Sequence, residues 1–286
     1  MCATCGCSSH EEGSLTDLQT GAHAHLDGQE GWHHHDAGVM PGHSHSPGLT
    51  DSLLLPSPGL SGSQEPHRIL RLEQEILSRN DRTANQNRSY FASRNVAVWN
   101  LVSSPGSGKT TLLEKTIQSL SSRRTIEVIE GDQASLLDGQ RIRATGVPVI
   151  QINTGNACHL DASMVMQASH RLNPEPGSWM FVENVGNLVC PALFDLGETA
   201  RILIASVTEG DDKPAKYPPM FRSADLVLLN KMDLLPHVPF SVDKFTTALR
   251  GLNPKAEVIP ISAMKGEGMS DWIAWLERKS SRSLFA

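Results

Sequence analysis

The sequence predicts an α/β fold with a mostly parallel sheet and helices on both faces. Three observations predict it. Short apolar runs recur at Val96–Val102, Thr125–Ile129, Val147–Ile152, Met180–Glu183, Arg201–Val207, Asp225–Asn230 and Val258–Ile261, with helical segments between them. The first run opens through a Gly-rich turn directly into a helix, the strand–loop–helix order of doubly wound sheets. The chain has 286 residues and is 39% hydrophobic, enough for one large domain with extensions.

Composition narrows the partners. No run approaches the ~18–20 apolar residues of a membrane span. The start of the chain lacks a basic region followed by an apolar stretch, so a cytoplasmic protein with no membrane partner is expected. Its five cysteines then read as free thiols or metal ligands, not as a disulfide framework. The net charge of −6 is uneven: residues 1–67 hold eight of the 31 acids and no Lys or Arg, leaving 23 acids against 25 bases in 68–286. Nothing in this balance indicates a nucleic-acid surface.

In chain order, residues 1–7 form a first unit. Cys2, Cys5 and Cys7 make a C-x-x-C-x-C run whose thiolates can close on one soft or borderline ion. With Met1 removed, the amine of Cys2 adds a fourth donor, and three sulfurs with one amine suit square-planar Ni(II). A redox-active pair is the alternative. Residues 8–66 form a second unit, dominated by Gly, Ser, Pro and His and predicted to be disordered, because they cannot bury enough surface to fold alone. Nine of the twelve histidines lie within residues 1–67, a compositional signal for several weak metal sites. Residues 67–95 form a leading helix, with Ile69, Leu72, Ile76 and Leu77 at helical spacing.

Residues 96–286 form the main domain. Its first strand, Val96–Val102, runs into Ser103–Ser104–Pro105–Gly106–Ser107–Gly108–Lys109–Thr110–Thr111 and a helix over Lys109–Leu120. Small residues here let backbone N–H groups and the helix N-terminus face an anion, Lys109 can reach terminal phosphates, and the Thr110 hydroxyl can hold Mg²⁺. Ser103 departs from the glycine that the G-x-x-x-x-G-K-[ST] pattern asks for. Thr125–Ile129 is the second strand and is followed by Glu130–Gly131–Asp132–Gln133, which makes Asp132 a candidate for Mg²⁺ or water positioning at the crevice. A helix over Asp138–Thr145, a strand over Val147–Ile152, and the turn Asn153–Asp161 leading into a helix to His170 come next.

The strand Met180–Glu183 places Glu183 and Gly186 as the acid and glycine of a D-x-x-G switch. There the acid addresses Mg²⁺ and the glycine N–H senses a γ-phosphate. The strand Asp225–Asn230 ends in Asn230–Lys231–Met232–Asp233. Asp233 can accept two hydrogen bonds from a guanine edge, Asn230 braces the loop, and Lys231 stacks along the ring. Ser262 and Ala263 stand where a backbone N–H meets guanine O6, and a last amphipathic helix covers Met269–Lys279. Together these imply GTP, with Lys109, Asp132 and Glu183 as the catalytic set and no evident internal arginine finger. A small-molecule kinase is the weaker option, and Asn230–Asp233 speaks against it.

Cys158, His159 and Cys190 sit on loops that follow strands and offer three ligands to Zn²⁺ or Ni²⁺. The alternative is that both cysteines are small core residues. Cys190 lies four positions past Gly186, so a phosphate that pulls Gly186 also moves a metal ligand.

These residues together resemble the hydrogenase nickel-incorporation accessory GTPases (HypB). The resemblance is carried by Cys2–Cys5–Cys7, Ser103–Thr110, Glu130–Gln133, Asn153–Asp161, Glu183–Pro191, Thr208–Lys216 and Asn230–Asp233. It covers the first seven residues and most of 68–286. It implies a P-loop GTPase of the SIMIBI class, with GTP and Mg²⁺, slow hydrolysis and a GTP-dependent homodimer. It also implies nickel delivery to the hydrogenase large subunit together with a hydrogenase nickel accessory partner protein. Zinc or nickel at Cys158, His159 and Cys190 near the dimer interface, and a nucleotide contact from Lys216, belong to the same implication, and Ser103 is tolerated in the family. The rival reading is a nickel and zinc storage protein with a nucleotide-controlled dimerisation domain, favoured by the His-rich tract.

Overall fold

The computed structural model describes residues 13–27, 31–35, 65–133 and 135–283. Among the described residues, ten strands form one sheet in the order β10-β9-β8-β4-β7-β5-β6-β1-β2-β3. They are β1 Ser14–Asp17, β2 His23–Asp27, β3 Gly31–His35, β4 Ala97–Ser103, β5 Ile126–Asp132, β6 Val149–Asn153, β7 Trp179–Glu183, β8 Ala200–Ser206, β9 Leu226–Asn230 and β10 Glu257–Pro260. The seven from β4 to β10 are all parallel to one another, as strands joined by helical crossovers must be. The helices are α1 Glu65–Ser93, α2 Lys109–Leu120, α3 Leu137–Arg143, α4 Ala162–Leu172, α5 Lys213–Lys216, α6 Pro218–Ser223, α7 Val242–Leu252 and α8 Met269–Ser283. Among the described residues, no helix is long and apolar enough to cross a membrane.

Both faces of the sheet are covered, as expected. On one face α2, α3 and α8 pack Leu113, Ile142 and Trp272 onto Trp99, Val128, Phe181 and Ile202. On the other face α1 and α4 pack Phe91 and Val165 onto Val98, Ile129 and Val182, while α6 and α7 pack Phe221 and Phe245 onto Leu203 and Val227. Burial on both sides explains why the central strands read as unbroken apolar runs. β4 lies between β7 and β8, so its C-terminal turn opens at the middle of the sheet, where strand ends frame a ligand crevice.

Two expectations need correction. Thr125–Ile129 is too short. β5 continues through Asp132, because Glu130 and Asp132 pair with Gln151 and Asn153 of β6, so Asp132 is the last strand residue and not a loop residue. The segment predicted to be disordered contributes β1, which runs antiparallel along β6 with Ser14 opposite Asn153. The physical reason is a preformed edge. Leu15 and Leu18 are buried on it, and the Gln19 amide donates to the Val147 carbonyl (2.8 Å) and accepts from the Val149 N–H (3.0 Å). A short apolar segment that cannot fold alone can still extend an existing sheet. Residues 8–12, 28–30 and 36–64 of the predicted segment lie outside the described residues.

Candidate functional site

The turn after β4 is built from two glycines in left-handed conformation, Gly106 at φ 73° and Gly108 at φ 97°, which fold the chain back into α2. Ser103 is a strand residue paired with Ile204, with its hydroxyl on the Ser104 carbonyl, so its backbone asks for no glycine. Around the turn lies a cavity of about 590 Å³, lined by Ser103–Thr111, Glu130–Gln133, Asp138, Arg141, Val185, Gly186 and Lys231.

Three carboxylates converge beneath the turn. Glu183, fully buried, accepts from Lys109 Nζ (3.0 Å) and Thr110 Oγ1 (2.6 Å) through one oxygen, and its Oε2 is buried without a hydrogen-bond partner. Glu130, also buried, leaves Oε2 unpartnered. Burial, and next the Glu183 charge, push its carboxyl up to about 9. Asp132 accepts from the Gln133 N–H at 2.6 Å. The orphaned buried oxygen of Glu183, beside the Thr110 hydroxyl and the Asp132 carboxylate, makes an all-oxygen donor set of the kind a hard divalent cation takes, so Thr110, Asp132 and Glu183 fit Mg²⁺. Sequence reasoning did not select Glu130. The available signal was the strand period of two, which puts Glu130 and Asp132 on the same side of β5. It also missed Arg141, whose guanidinium is held at the cavity by Glu114 (2.7 Å) and Asp138 (3.1 Å) and donates to Thr111 Oγ1 (3.2 Å).

The Asn230–Asp233 element joins the same body. Asn230 Nδ2 donates to the Ser107 carbonyl (2.8 Å), its Oδ1 accepts from the Ala263 N–H (3.1 Å), and Lys231 Nζ donates to the Gly106 carbonyl (2.6 Å). Asp233 accepts from the Ser262 hydroxyl at 2.6 Å, and that bond holds its carboxyl below the usual range. Lys216 does not line the cavity. It is exposed and ion-paired to Asp212 at 2.7 Å, whereas Lys213 donates to Ser104 Oγ at 3.2 Å. Gly186 approaches the turn so closely that a Cβ there would lie 3.2 Å from Pro105.

Cys158, His159 and Cys190 lie together, with ligand atoms within 4.8 Å of one another. Cys190 is buried, His159 Nδ1 is buried without a hydrogen-bond partner, and the imidazole packs on Phe194 with ring centres 4.0 Å apart. Burial pulls the His159 pKa down, favouring the neutral, ligating form. Two thiols and an unpartnered imidazole nitrogen fit a borderline divalent ion such as nickel or zinc. The loops that carry these ligands touch the switch: Asn184 Oδ1 accepts from the Leu160 N–H (3.1 Å) and Asn187 Nδ2 donates to the Cys158 carbonyl (3.3 Å). Cys2, Cys5 and Cys7 lie outside the described residues.

Residues 97–260 match the family model described as the CobW/HypB/UreG nucleotide-binding domain. The chain is 54% identical over 249 residues to the hydrogenase maturation factor HypB of Azotobacter vinelandii, covering 87% of this chain and 77% of that one. It is 53% identical over 221 residues to the Escherichia coli (strain K12) HypB, covering 77% and 75%. Of solved structures, HypB from Helicobacter pylori in complex with nickel matches with a TM-score of 0.69 at 36% identity, covering 73% of this chain and 98% of that one. HypB from Archaeoglobus fulgidus matches at 0.67 and 37% identity, covering 71% and 99%.

Proposed function

Because the chain belongs to the HypB hydrogenase maturation factors of the CobW/HypB/UreG nucleotide-binding family, we propose that it hydrolyses GTP and uses the nucleotide state to control a nickel cargo destined for the hydrogenase large subunit. The single observation that carries this reading is the adjacency of Cys158, His159 and Cys190 to the switch loop, with Asn187 on the Cys158 carbonyl and Gly186 against the phosphate loop.

The residues divide the work. The backbone of Ser104–Thr111 and the start of α2 cradle the phosphates. Lys109 leaves Glu183 for the terminal phosphates, which offer it more negative charge than one carboxylate. Thr110, Asp132 and Glu183 would hold Mg²⁺, which would supply positive charge against the charge that develops on the phosphates. Asp233 selects guanine, Asn230 braces its loop, Lys231 covers the base, and Ser262–Ala263 meet O6. Lys216, outside the cavity in a single chain, is assigned to the nucleotide of a second copy in a GTP-dependent homodimer. Slow turnover follows from the pairing of Arg141 to Glu114 and Asp138, which holds that guanidinium away from the role of an arginine finger.

In this reading Gly186 moves when a γ-phosphate arrives, Asn184 and Asn187 carry the movement, and the spacing of Cys158, His159 and Cys190 changes. Nickel is the cargo, zinc is an alternative occupant, and Cys2, Cys5 and Cys7 form a second nickel site. An accessory nickel protein is the partner in transfer, and the cytoplasm is the setting. Titration of nickel and zinc with GDP or a non-hydrolysable GTP analogue, with dimerisation followed in parallel, tests it. A nucleotide-dependent affinity ratio of about 5–150-fold is expected, the range of ordinary allosteric coupling. Equal affinities in the two states refute it. The concentration of nine histidines in residues 1–67 favours a second reading, metal storage. Replacing His10, His23, His25, His33, His34, His35, His43 and His45 by Gln, which spares β1, separates the two: lost nickel storage with intact hydrogenase maturation leaves GTP-controlled delivery as the core activity.

A further inference from the structure

The far ends of the two loops that carry Cys158, His159 and Cys190 converge on α1. Asn80, on α1, accepts from the Ala162 N–H (2.9 Å) and donates to the Asp195 carbonyl (2.8 Å). Asn87, seven residues on and so on the same helix face, donates to the carbonyls of both Ala162 (2.8 Å) and Leu196 (2.9 Å). Ala162 lies three residues after His159, and Asp195 lies five after Cys190. Both asparagine side chains are buried, at 7% and 1% exposure, where an amide is costly unless every bond is made. Gly197 lets α1 come this close: a Cβ there would lie 2.5 Å from the Ala84 carbonyl oxygen.

We infer that Asn80 and Asn87 are positioning residues for the Cys158–His159–Cys190 centre. They fix the far ends of the two loops on α1, while Asn184 and Asn187 hold the near ends to the switch. With one end fixed, a displacement of the switch is converted into a change in ligand spacing and is not lost in drift of the whole loop. This rests on the metal reading above and adds α1 to it as the fixed point.

The experiment uses the full chain with Cys2→Ala, Cys5→Ala and Cys7→Ala, so that thiolate-to-nickel charge-transfer absorption reports only Cys158 and Cys190. Ni(II) is titrated against a competing chelator, with GDP and with a non-hydrolysable GTP analogue. Asn80→Asp keeps the bond from Ala162 and loses the one to Asp195, and Asn87→Ser withdraws the donor from both carbonyls. Each lowers Ni(II) affinity about tenfold or more, the usual effect of losing an outer support of a metal site. Each also shrinks the difference between the two nucleotide states and leaves GDP affinity unchanged. Arg88→Ala removes the exposed pair with Asp195 but no bridge between loops, and leaves nickel affinity unchanged. Unchanged nickel affinity in the asparagine variants overturns the proposal, as does an equal loss in Arg88→Ala. The two asparagine variants act at different points of α1, so if one fails to fold the other decides. An absorption missing from the unsubstituted α1 background, or insensitive to Cys158→Ala, overturns the metal reading itself without recourse to any α1 variant.

Discussion

The Asn230 amide and Gly108 are in direct contact: Nδ2 lies 2.6 Å from where a Cβ on Gly108 would stand and donates to the neighbouring Ser107 carbonyl at 2.8 Å. The element that faces the base and the turn that faces the phosphates are therefore one rigid body, closed on its other side by the Ala263 N–H on Asn230 Oδ1. Gly108→Ala forces a methyl into this amide at a φ of 97°, where a side chain costs about 1–2 kcal/mol before any clash. The expected outcome is a thermal midpoint several degrees lower and loss of GDP binding, read by melting curves and nucleotide titration.

Asp233→Asn exchanges one acceptor for a donor at the base. GDP affinity falls about 10²–10³-fold, because the guanine 2-amino donor then faces the Asn amide donor while N1–H keeps an acceptor. Xanthosine diphosphate, which offers a carbonyl where guanine has the amino group, gains relative to GDP. Competition binding with the two nucleotides checks this, and a uniform loss for both overturns the assignment of Asp233 to base reading.

Glu130 makes stability depend on pH. Its carboxyl is raised to about 9 by burial beside Glu183, against 4.5 for the free group. Between those values the folded chain holds a proton that the unfolded chain has released. The stability it contributes is complete below pH about 4.5 and is lost as pH rises to about 9, at up to about 1.4 kcal/mol per pH unit. Glu130→Gln removes this slope. Urea unfolding at pH 5.5, 7 and 8.5 without Mg²⁺ or nucleotide finds the variant gaining on the parent at each step. Parallel curves contradict it.

Leu15 anchors β1 to the edge of β6 at 2% exposure. Leu15→Ala costs about 2–5 kcal/mol, the range for a buried leucine truncation. Amide exchange at Gln151 and Asn153, opposite Thr16 and Ser14, accelerates in the same variant.

Much of the site was legible because it is written in contiguous residues. A turn such as Ser103–Thr110 or Asn230–Asp233 encodes its own backbone conformation through glycine, proline and a few side chains, so residue type and spacing within eight positions suffice to read it. The apolar runs of the central strands were legible for a related reason, since burial on both faces leaves no polar residue to break them. Cys158, His159 and Cys190 were legible as candidates because both loops follow strands of the same sheet.

What tertiary structure alone decided are the pairs separated by long stretches of chain. Glu130 became a member of the site because β5 lies beside β7, which brings its carboxyl to Glu183. Lys213, and not Lys216, meets the phosphate turn of its own chain because of how the short α5 turn lies against Ser104. Asn80 and Asn87 carry no local signal within the leading helix, and the close approach of Gly197 makes them buried bridges. Ser14–Asp17 looked unable to fold and became a strand once β6 offered an edge. In each case the free energy comes from a surface that does not exist until the sheet has formed, and no local pattern in the chain records it.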